Sequence, residues 1–293
     1  MVDAHQHFWY AGAVEHQSWR NHHHAAIARA YLPADLAPEL ARAGVARTVL
    51  MQAADTDREN RDLARFAATA PFVAGVVAWL PLPEPARAAA GLAALTGQGM
   101  PVRGVRCLVG ADPMEWATTG AATRLWRRLA GRGLCWDVVP LTPEQVAAVC
   151  AVADAVPDLR IVVDHLARPP LDGGDSDRWR ASVGALAGRP NLAIKLSVGV
   201  DVLTRWRAWQ PAALRPYLAY ALERFGPHRC MLASNWPVSL LRVDYATGWS
   251  DLRSLVADLA PAELARVSGG TAAEWYRLDA NAGRHHGCDP GPG

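Results

Sequence analysis

Two histidines spaced two apart, His5 and His7, are the first residues in this chain suited to chemistry. On a β-strand that spacing puts both imidazoles on one face. There they can ligate one Zn²⁺ at roughly 2.0–2.1 Å each, or hydrogen-bond a substrate or a neighbouring carboxylate. His165, which follows Asp164 in VVDHLARP, offers a third ligand or an acid–base group, since imidazole serves both uses. With His165 taken to face the pocket, Asp164 is expected to point away from it. Asn235 stands in Ala233-Ser234-Asn235-Trp236-Pro237. An aspartate there could ligate a metal and serve as general base towards water, whereas an amide has negligible basicity and ligates zinc poorly. The base role then passes to Asp137 or His165, or the pocket does chemistry that needs no carboxylate at that position.

Arg106 presents a rigid donor fork suited to a carboxylate, a lactone carbonyl or an oxyanion; a salt bridge at the rim is the plainer use. Lys195 is the only lysine among 30 basic residues, which suggests a position that needs a compact ammonium group. It can act on substrate as a point charge or pair with Asp137. Gln52 is a further polar residue of this set. Tryptophan is abundant at 12, and Trp9, Trp19, Trp79, Trp116, Trp136 and Trp236 fall near these polar residues in sequence, where their rings could wall an apolar or ring-shaped substrate. Glu59 reads better as an acid in the first turn of a helix, and His22-His23-His24 as a solvated loop.

The elements that must position these groups alternate along the chain. Strands are expected at 2–7, 47–52, 72–79, 102–108, 134–139, 160–165, 191–196 and 229–235. Helices are expected at 33–43, 58–69, 84–95, 123–130, 143–155, 177–186, 211–225, 252–259 and 262–265. Thr142-Pro143-Glu144 carries a helix start signal, and Gly44, Gly131 and Gly226 sit where helices should stop. Strict strand–helix alternation of this kind is the pattern of a single (β/α)8 TIM barrel. A doubly wound sheet would usually show a Gly-rich loop after its first strand, where His5-Gln6-His7 stands instead. His5, His7, Gln52, Arg106, Asp137, His165, Lys195 and Asn235 all fall at the ends of proposed strands. In a barrel those ends form the catalytic face, so the residues describe one polar pocket.

The 293 residues suit one barrel of about 250 residues. We expect one domain over residues 1–278 and a flexible Gly- and Pro-rich tail over 279–293, whose His285-His286 pair is surface rather than ligand. A formal charge of +2 is too balanced to argue for nucleic acid or an anionic membrane as partner. The five cysteines form no CxxC pair, so neither a zinc ribbon nor a disulfide framework is suggested, and a reducing cytoplasm fits. The opening residues do not read as a signal peptide, and no apolar run is long enough for a membrane span. The expected partner is a small-molecule substrate, with a homodimer left open.

These residues also resemble a family. The segments VDAHQHFW, YLPADLAPELARAGV, VRGVRCLV, LCWDVVP, VVDHLARPP, NLAIKLSVG, FGPHRCMLASNWPVSLL and GGTAAEWYRL resemble, in order, the sugar-lactone hydrolase branch of the amidohydrolase superfamily. That branch includes the fuconolactone and rhamnonolactone hydrolases. The resemblance implies a barrel that opens lactones or related cyclic esters with water. It implies that His5, His7 and His165 match the family's histidines, while Lys195, Gln52 and Arg106 fall at its motif positions. Two positions depart from the pattern: the family commonly has Asp where Asn235 stands, and often His where Cys107 stands. Members are not uniformly metal-dependent, so the implied cofactor is Zn²⁺ or none, and Asn235 weakens the case for Zn²⁺. Cys107 makes the pocket less polar, which with Trp9, Trp79 and Trp236 points to a less hydroxylated substrate.

The expected reaction is hydrolysis of a small lactone. Arg106, Lys195 or a metal on His5 and His7 would polarise the carbonyl, and His165 or Asp137 would accept the proton of the attacking water. The alternatives are decarboxylation or C–C cleavage of a small cyclic acid in the same pocket, and a barrel that binds a ligand without catalysis.

Overall fold

The computed structural model describes residues 1–95, 99–171 and 173–278. The proposed tail, with His285-His286, lies outside the described residues. Eight strands, β1 Val2–Gln6, β2 Arg47–Met51, β3 Val73–Trp79, β4 Val102–Arg106, β5 Cys135–Val138, β6 Ile161–Val163, β7 Leu192–Leu196 and β8 Cys230–Leu232, run in sequence order around one sheet. Each pairs with the next in parallel. Helices α1 Pro33–Ala43, α2 Asp57–Thr69, α3 Pro85–Leu95, α4 Gly120–Gly131, α5 Pro143–Ala155 and α6 Ser176–Ala187 follow in turn. They are succeeded by α7 Val200–Arg205, α8 Pro211–Phe225, α9 Tyr245–Ser254, α10 Pro261–Ala265 and α11 Thr271–Trp275. The chain is a (β/α)8 barrel.

Local signals explain most helix ends. Thr142 caps α5 and Pro143 opens it, while Gly44 closes α1 in the left-handed region at φ 66°. The helix expected over 252–259 instead runs from Tyr245 to Ser254, because the Asp244 side chain accepts from Thr247 N–H and starts it earlier. The short α7 and α11 were not expected from the sequence, and both lack a side-chain cap.

Two apolar layers hold the barrel. Outside the sheet, residues such as Leu50, Val76, Val105, Ile161 and Ile194 pack against the helices. Inside it, Val2, Ala4, Val49, Met51, Val77, Cys135, Val162, Ala193, Met231 and Ala233 form a second cluster. Ala272, Trp275, Tyr276 and Leu278 join this inner cluster, so the segment around α11 plugs the N-terminal end of the barrel and the opposite end stays open for chemistry.

The ring closes between β8 and β1 just past the last ladder residues. Asn235 N–H donates to His5 O at 2.9 Å and His7 N–H donates to Trp236 O at 2.7 Å. Beneath them the buried Asp3 carboxylate accepts from Ser234 N–H (2.9 Å), Ser234 Oγ (2.6 Å), His5 N–H (3.1 Å) and Tyr245 Oη (3.2 Å). Asp3→Ala should therefore leave several donors at the seam unpaired. We predict a loss of roughly 3 kcal/mol, seen as a Tm lower by roughly 6–12 °C; an unchanged Tm would contradict this role for the seam.

Candidate active site

Strand alternation delivers most of the site. Inward-facing Cys135 on β5 puts Asp137 on the same face, Ala193 on β7 does so for Lys195, and Val162 on β6 does so for Asp164. On β1 the alternation breaks. Asp3 lies opposite Thr48 while Gln6 lies opposite Leu50, so β1 spends one residue more than β2 between these pairs. The inward face thereby passes from Val2 and Ala4 to His5 and His7. Gly104 on β4 matters for Asp137: a Cβ there would lie 3.1 Å from Cys135 O and 3.2 Å from Asp137 Oδ1.

The expectation that Asp164 points away is corrected. Asp164 is fully buried inside the site, because it continues the inward face of Val162. His165 reaches the same cavity by another route. It lies beyond the strand at φ 54° and opens a run of left-handed residues through Leu166, Ala167 and Arg168 (φ 55°, 51° and 54°). Non-glycine residues adopt that conformation at a cost of roughly 1–2 kcal/mol each, and such strain gathers at functional sites.

Beneath the mouth lies a compact ionic cluster. Lys195 Nζ is 2.7 Å from Asp137 Oδ2 and 2.9 Å from Asp164 Oδ1. Arg106 Nη1 donates to Asp164 Oδ2 at 2.8 Å, and its Nε donates to Gln52 Oε1 at 3.0 Å. Tyr276 Oη, from the C-terminal plug, donates to Asp137 Oδ2. Burial opposes charge on Asp164, yet Lys195, His5 and Arg106 together hold it well below the usual carboxylate range. Asp137 is pushed up to about 6 by burial, against the pull of Lys195. Lys195 and Arg106 thus face Asp137 and Asp164.

The imidazoles are neutral. Burial pulls His5 and His7 well below the usual histidine range, and lowers His165 to about 4. His7 Nδ1 lies 3.0 Å from Met51 O; a carbonyl only accepts, so Nδ1 carries the proton and His7 Nε2 presents a lone pair. His5 Nε2 sits 3.1 Å from it. With no cation between them, His5 Nε2 must be the donor, and its Nδ1 then accepts from Lys195 Nζ at 3.2 Å. With a cation between them both Nε2 lone pairs turn to it, and His5 Nδ1–H donates to Asp164 Oδ1 at 3.3 Å. That is the carboxylate–histidine–metal arrangement, and Lys195 and Asp164 together accommodate either tautomer.

The donor set fits Zn²⁺. Tetrahedral ligation at the usual bond lengths separates two nitrogens by roughly 3.3 Å, close to the 3.1 Å found between His5 and His7. His5, Asp164 and His165 also bring ligand atoms within 4.8 Å of one another. Two features work against tight binding. Arg106 Nη1 lies 3.5 Å from His5 Nε2, and Asn235 supplies an amide whose Nδ2 is committed to Val198 O at 2.8 Å.

Above this floor opens a cavity of about 310 Å³, lined among others by His7, Arg106, His165 and Asn235. Of the residues expected to bind substrate, Cys107 lines it and four others do not. Gln52 is fully buried behind Arg106 and holds that guanidinium, with its own Nε2 donating to Asp55 Oδ1 at 2.7 Å. Trp9 is buried with its Nε1 on Arg29 O, and Trp236 packs between Phe8 and Tyr31. Trp79 packs in the outer layer, with the Arg87 guanidinium 5.6 Å from its ring centroid. The ring that does reach the cavity is Trp19. Asp137 and Lys195 lie below the lining, fully buried.

Other residues of the histidine-rich segment and the first turn of α2 serve the scaffold. His24 is buried against Thr204 Oγ1 at 2.9 Å, while His22 and His23 are exposed. Glu59 accepts from Ala53 N–H at 2.6 Å at the start of α2. Residue-by-residue reading missed Ser197, whose Oγ is 2.8 Å from His165 Nδ1. It also missed Tyr276 and Asp55. Ser197 could have been found from its position two beyond Lys195 on the same strand face; Tyr276 carries no local signal, because only the plug brings it there.

The chain resembles known proteins along nearly its whole length. The family described as amidohydrolase matches residues 2–278. The chain is 35% identical over 293 residues to L-fucono-1,5-lactonase of Burkholderia ambifaria, covering 97% of this chain and 98% of that protein. It is 31% identical over 295 residues to L-fucono-1,5-lactonase of Burkholderia multivorans, covering 94% and 96%. A crystal structure of an amidohydrolase from Burkholderia multivorans with bound zinc superposes with a TM-score of 0.84 at 30% identity, covering 94% of this chain and 99% of that one.

If His5 and His7 hold the ion, His7→Ala should abolish zinc binding in a titration against a chromophoric chelator. Asn235→Asp should tighten it roughly tenfold or more, since a carboxylate replaces an amide beside the site. Equal zinc affinity in all three proteins would contradict this placement.

Proposed function

We propose, from the premise that the chain belongs to the amidohydrolase family, that it opens a small neutral lactone with water. The observation that carries this reading is the pairing of a neutral imidazole, His165, with the Arg106 guanidinium in one cavity. The similarity to L-fucono-1,5-lactonases supports it.

In this reading the lactone carbonyl oxygen faces Arg106, whose bonds to Asp164 and Gln52 fix the fork before substrate arrives. A preorganised donor of that kind stabilises the oxyanion that forms when water adds. His165 takes the proton of the attacking water on Nε2, while Ser197 Oγ on Nδ1 fixes the ring. When the tetrahedral centre collapses, the ring C–O bond breaks and the leaving alkoxide takes that proton back. The product hydroxy acid then ionises and releases one proton to solvent. Asp137 is not the base here, because it lies fully buried below the cavity lining, with Lys195 and Tyr276 on its Oδ2. Lys195 likewise acts through Asp164 and His5 rather than on substrate. Asn235 lines the cavity as a neutral group. Zn²⁺, where bound, would be held by His5 and His7 and would supply Lewis-acid polarisation of the carbonyl; His165 keeps its Nε2 for the proton.

The charge balance of the cavity favours this reading over decarboxylation of a cyclic acid. Among the described lining residues both arginines are already paired, Arg106 with Asp164 at 2.8 Å and Arg168 with Asp201 at 2.9 Å. A substrate carboxylate would meet guanidinium charges that are already neutralised, whereas a neutral ester needs no unpaired cation.

With lactones as substrates, pH-indicator assays should record one proton per turnover and no CO₂. His165→Ala and Arg106→Ala should each lower kcat/KM by at least roughly 100-fold with unchanged circular dichroism. Full activity in either variant would contradict the assigned roles.

A further inference from the structure

The cavity is two-sided. The polar groups His7 and Asn235 come from the ends of β1 and β8. Across the barrel, the loops after β4 and β5 contribute Cys107, Leu108, Val109, Val139 and Leu141. In a ring of eight strands in sequence order, β4 and β5 stand opposite β8 and β1. The apolar arc therefore faces His7 and Asn235 across the space a substrate must fill, with Trp19, Val200 and Val238 adding apolar surface beside those two.

Part of the arc's backbone is also satisfied from behind, by Asp55 and Gln145. Leu108 N–H donates to the Asp55 carboxylate at 3.1 Å. Gln145, fully buried in α5, accepts from Leu141 N–H at 2.6 Å through Oε1, and donates to Gly110 O at 2.9 Å through Nε2. The one indole on the cavity, Trp19, has its Nε1 committed to Ala53 O at 2.9 Å. The Cys107 thiol, pushed up to about 12 by burial, stays a neutral and weak donor. A sugar hydroxyl turned to this arc would lose its water and find few partners. A methylene would gain from leaving water.

We propose that the substrate is a neutral monocyclic lactone whose ring carries a short alkyl side chain, seated with that chain against Cys107, Leu108, Val109, Val139 and Leu141. The proposal rests on the lactonase reading above and narrows it: the ester group lies towards the floor, by His165 and the Arg106 guanidinium, and the carbon chain lies along the apolar arc. A volume of about 310 Å³ is at the small end of ligand cavities, which suits one ring with a short substituent.

The test is a steady-state panel on the unaltered protein, with spontaneous hydrolysis subtracted: δ-valerolactone, δ-hexalactone, δ-octalactone and L-fucono-1,5-lactone. We expect kcat/KM to rise roughly fourfold per added methylene along the alkyl series, with δ-octalactone at least roughly tenfold above L-fucono-1,5-lactone. Leu141→Asn should flatten the rise. A flat alkyl series with L-fucono-1,5-lactone preferred would overturn the proposal and leave the lactonase reading standing. Hydrolysis of none of the four would overturn both.

Discussion

The structure depends on a lysine that water does not reach. Lys195 is fully buried and meets Asp137, Asp164 and His5 at 2.7, 2.9 and 3.2 Å. An ammonium taken out of water must have partners close by, and removing one partner of a buried pair costs about 3–5 kcal/mol. The requirement spreads outward through the partners. Asp164 must also meet Arg106, Arg106 must also meet Gln52, and Gln52 must also meet Asp55. Asp137 must meet Tyr276, which ties the chemistry at the mouth to the plug at the opposite end. The imidazoles above stay neutral because they are buried over a floor whose charges already balance. Arginine could not replace this lysine: its planar fork needs room that a cage of close acceptors on three strands does not leave.

The barrel was legible in the sequence because its signals are local and repeated. All eight expected strands form, within a few residues at each end, since each is a short β-rich run followed by a helix with its own start or stop signal. The polar strand ends were legible for the same reason, as alternation fixes which residue faces inward. Where reading failed, a non-local fact had intervened. Alternation from an inward His165 would turn Asp164 outward, but Asp164 faces in and His165 does not belong to the strand. Its left-handed backbone lets two consecutive residues enter the site. Trp9, Trp79 and Trp236 were assigned to the substrate by their places in sequence, whereas packing sends them into the layers behind the mouth. The helix begins at Tyr245 rather than 252 because the Asp244 cap starts it, although Thr247 and Gly248 weaken its propensity.

The floor and the wall follow one rule. The floor pairs its charged groups before a ligand arrives, with Asp137 Oδ1 left without a hydrogen-bond partner, and Asp55 and Gln145 take part of the apolar arc's backbone. What the cavity leaves to offer is a neutral imidazole, a fixed guanidinium and an apolar surface. Those suit an uncharged ester whose reaction creates an oxyanion and moves one proton. Asn235 fits the same logic, because an aspartate there would add a negative charge to a site already in balance.

Lys195 and its carboxylates stand or fall together. A double-mutant cycle on the free energy of unfolding, with Lys195→Met, Asp137→Asn and the double variant, measures this directly. The expected coupling is at least about 2 kcal/mol, with the double variant more stable than the two single losses would give. Additivity to within about 0.5 kcal/mol would mean that Lys195 and Asp137 are neighbours without being partners, and that something else holds the site.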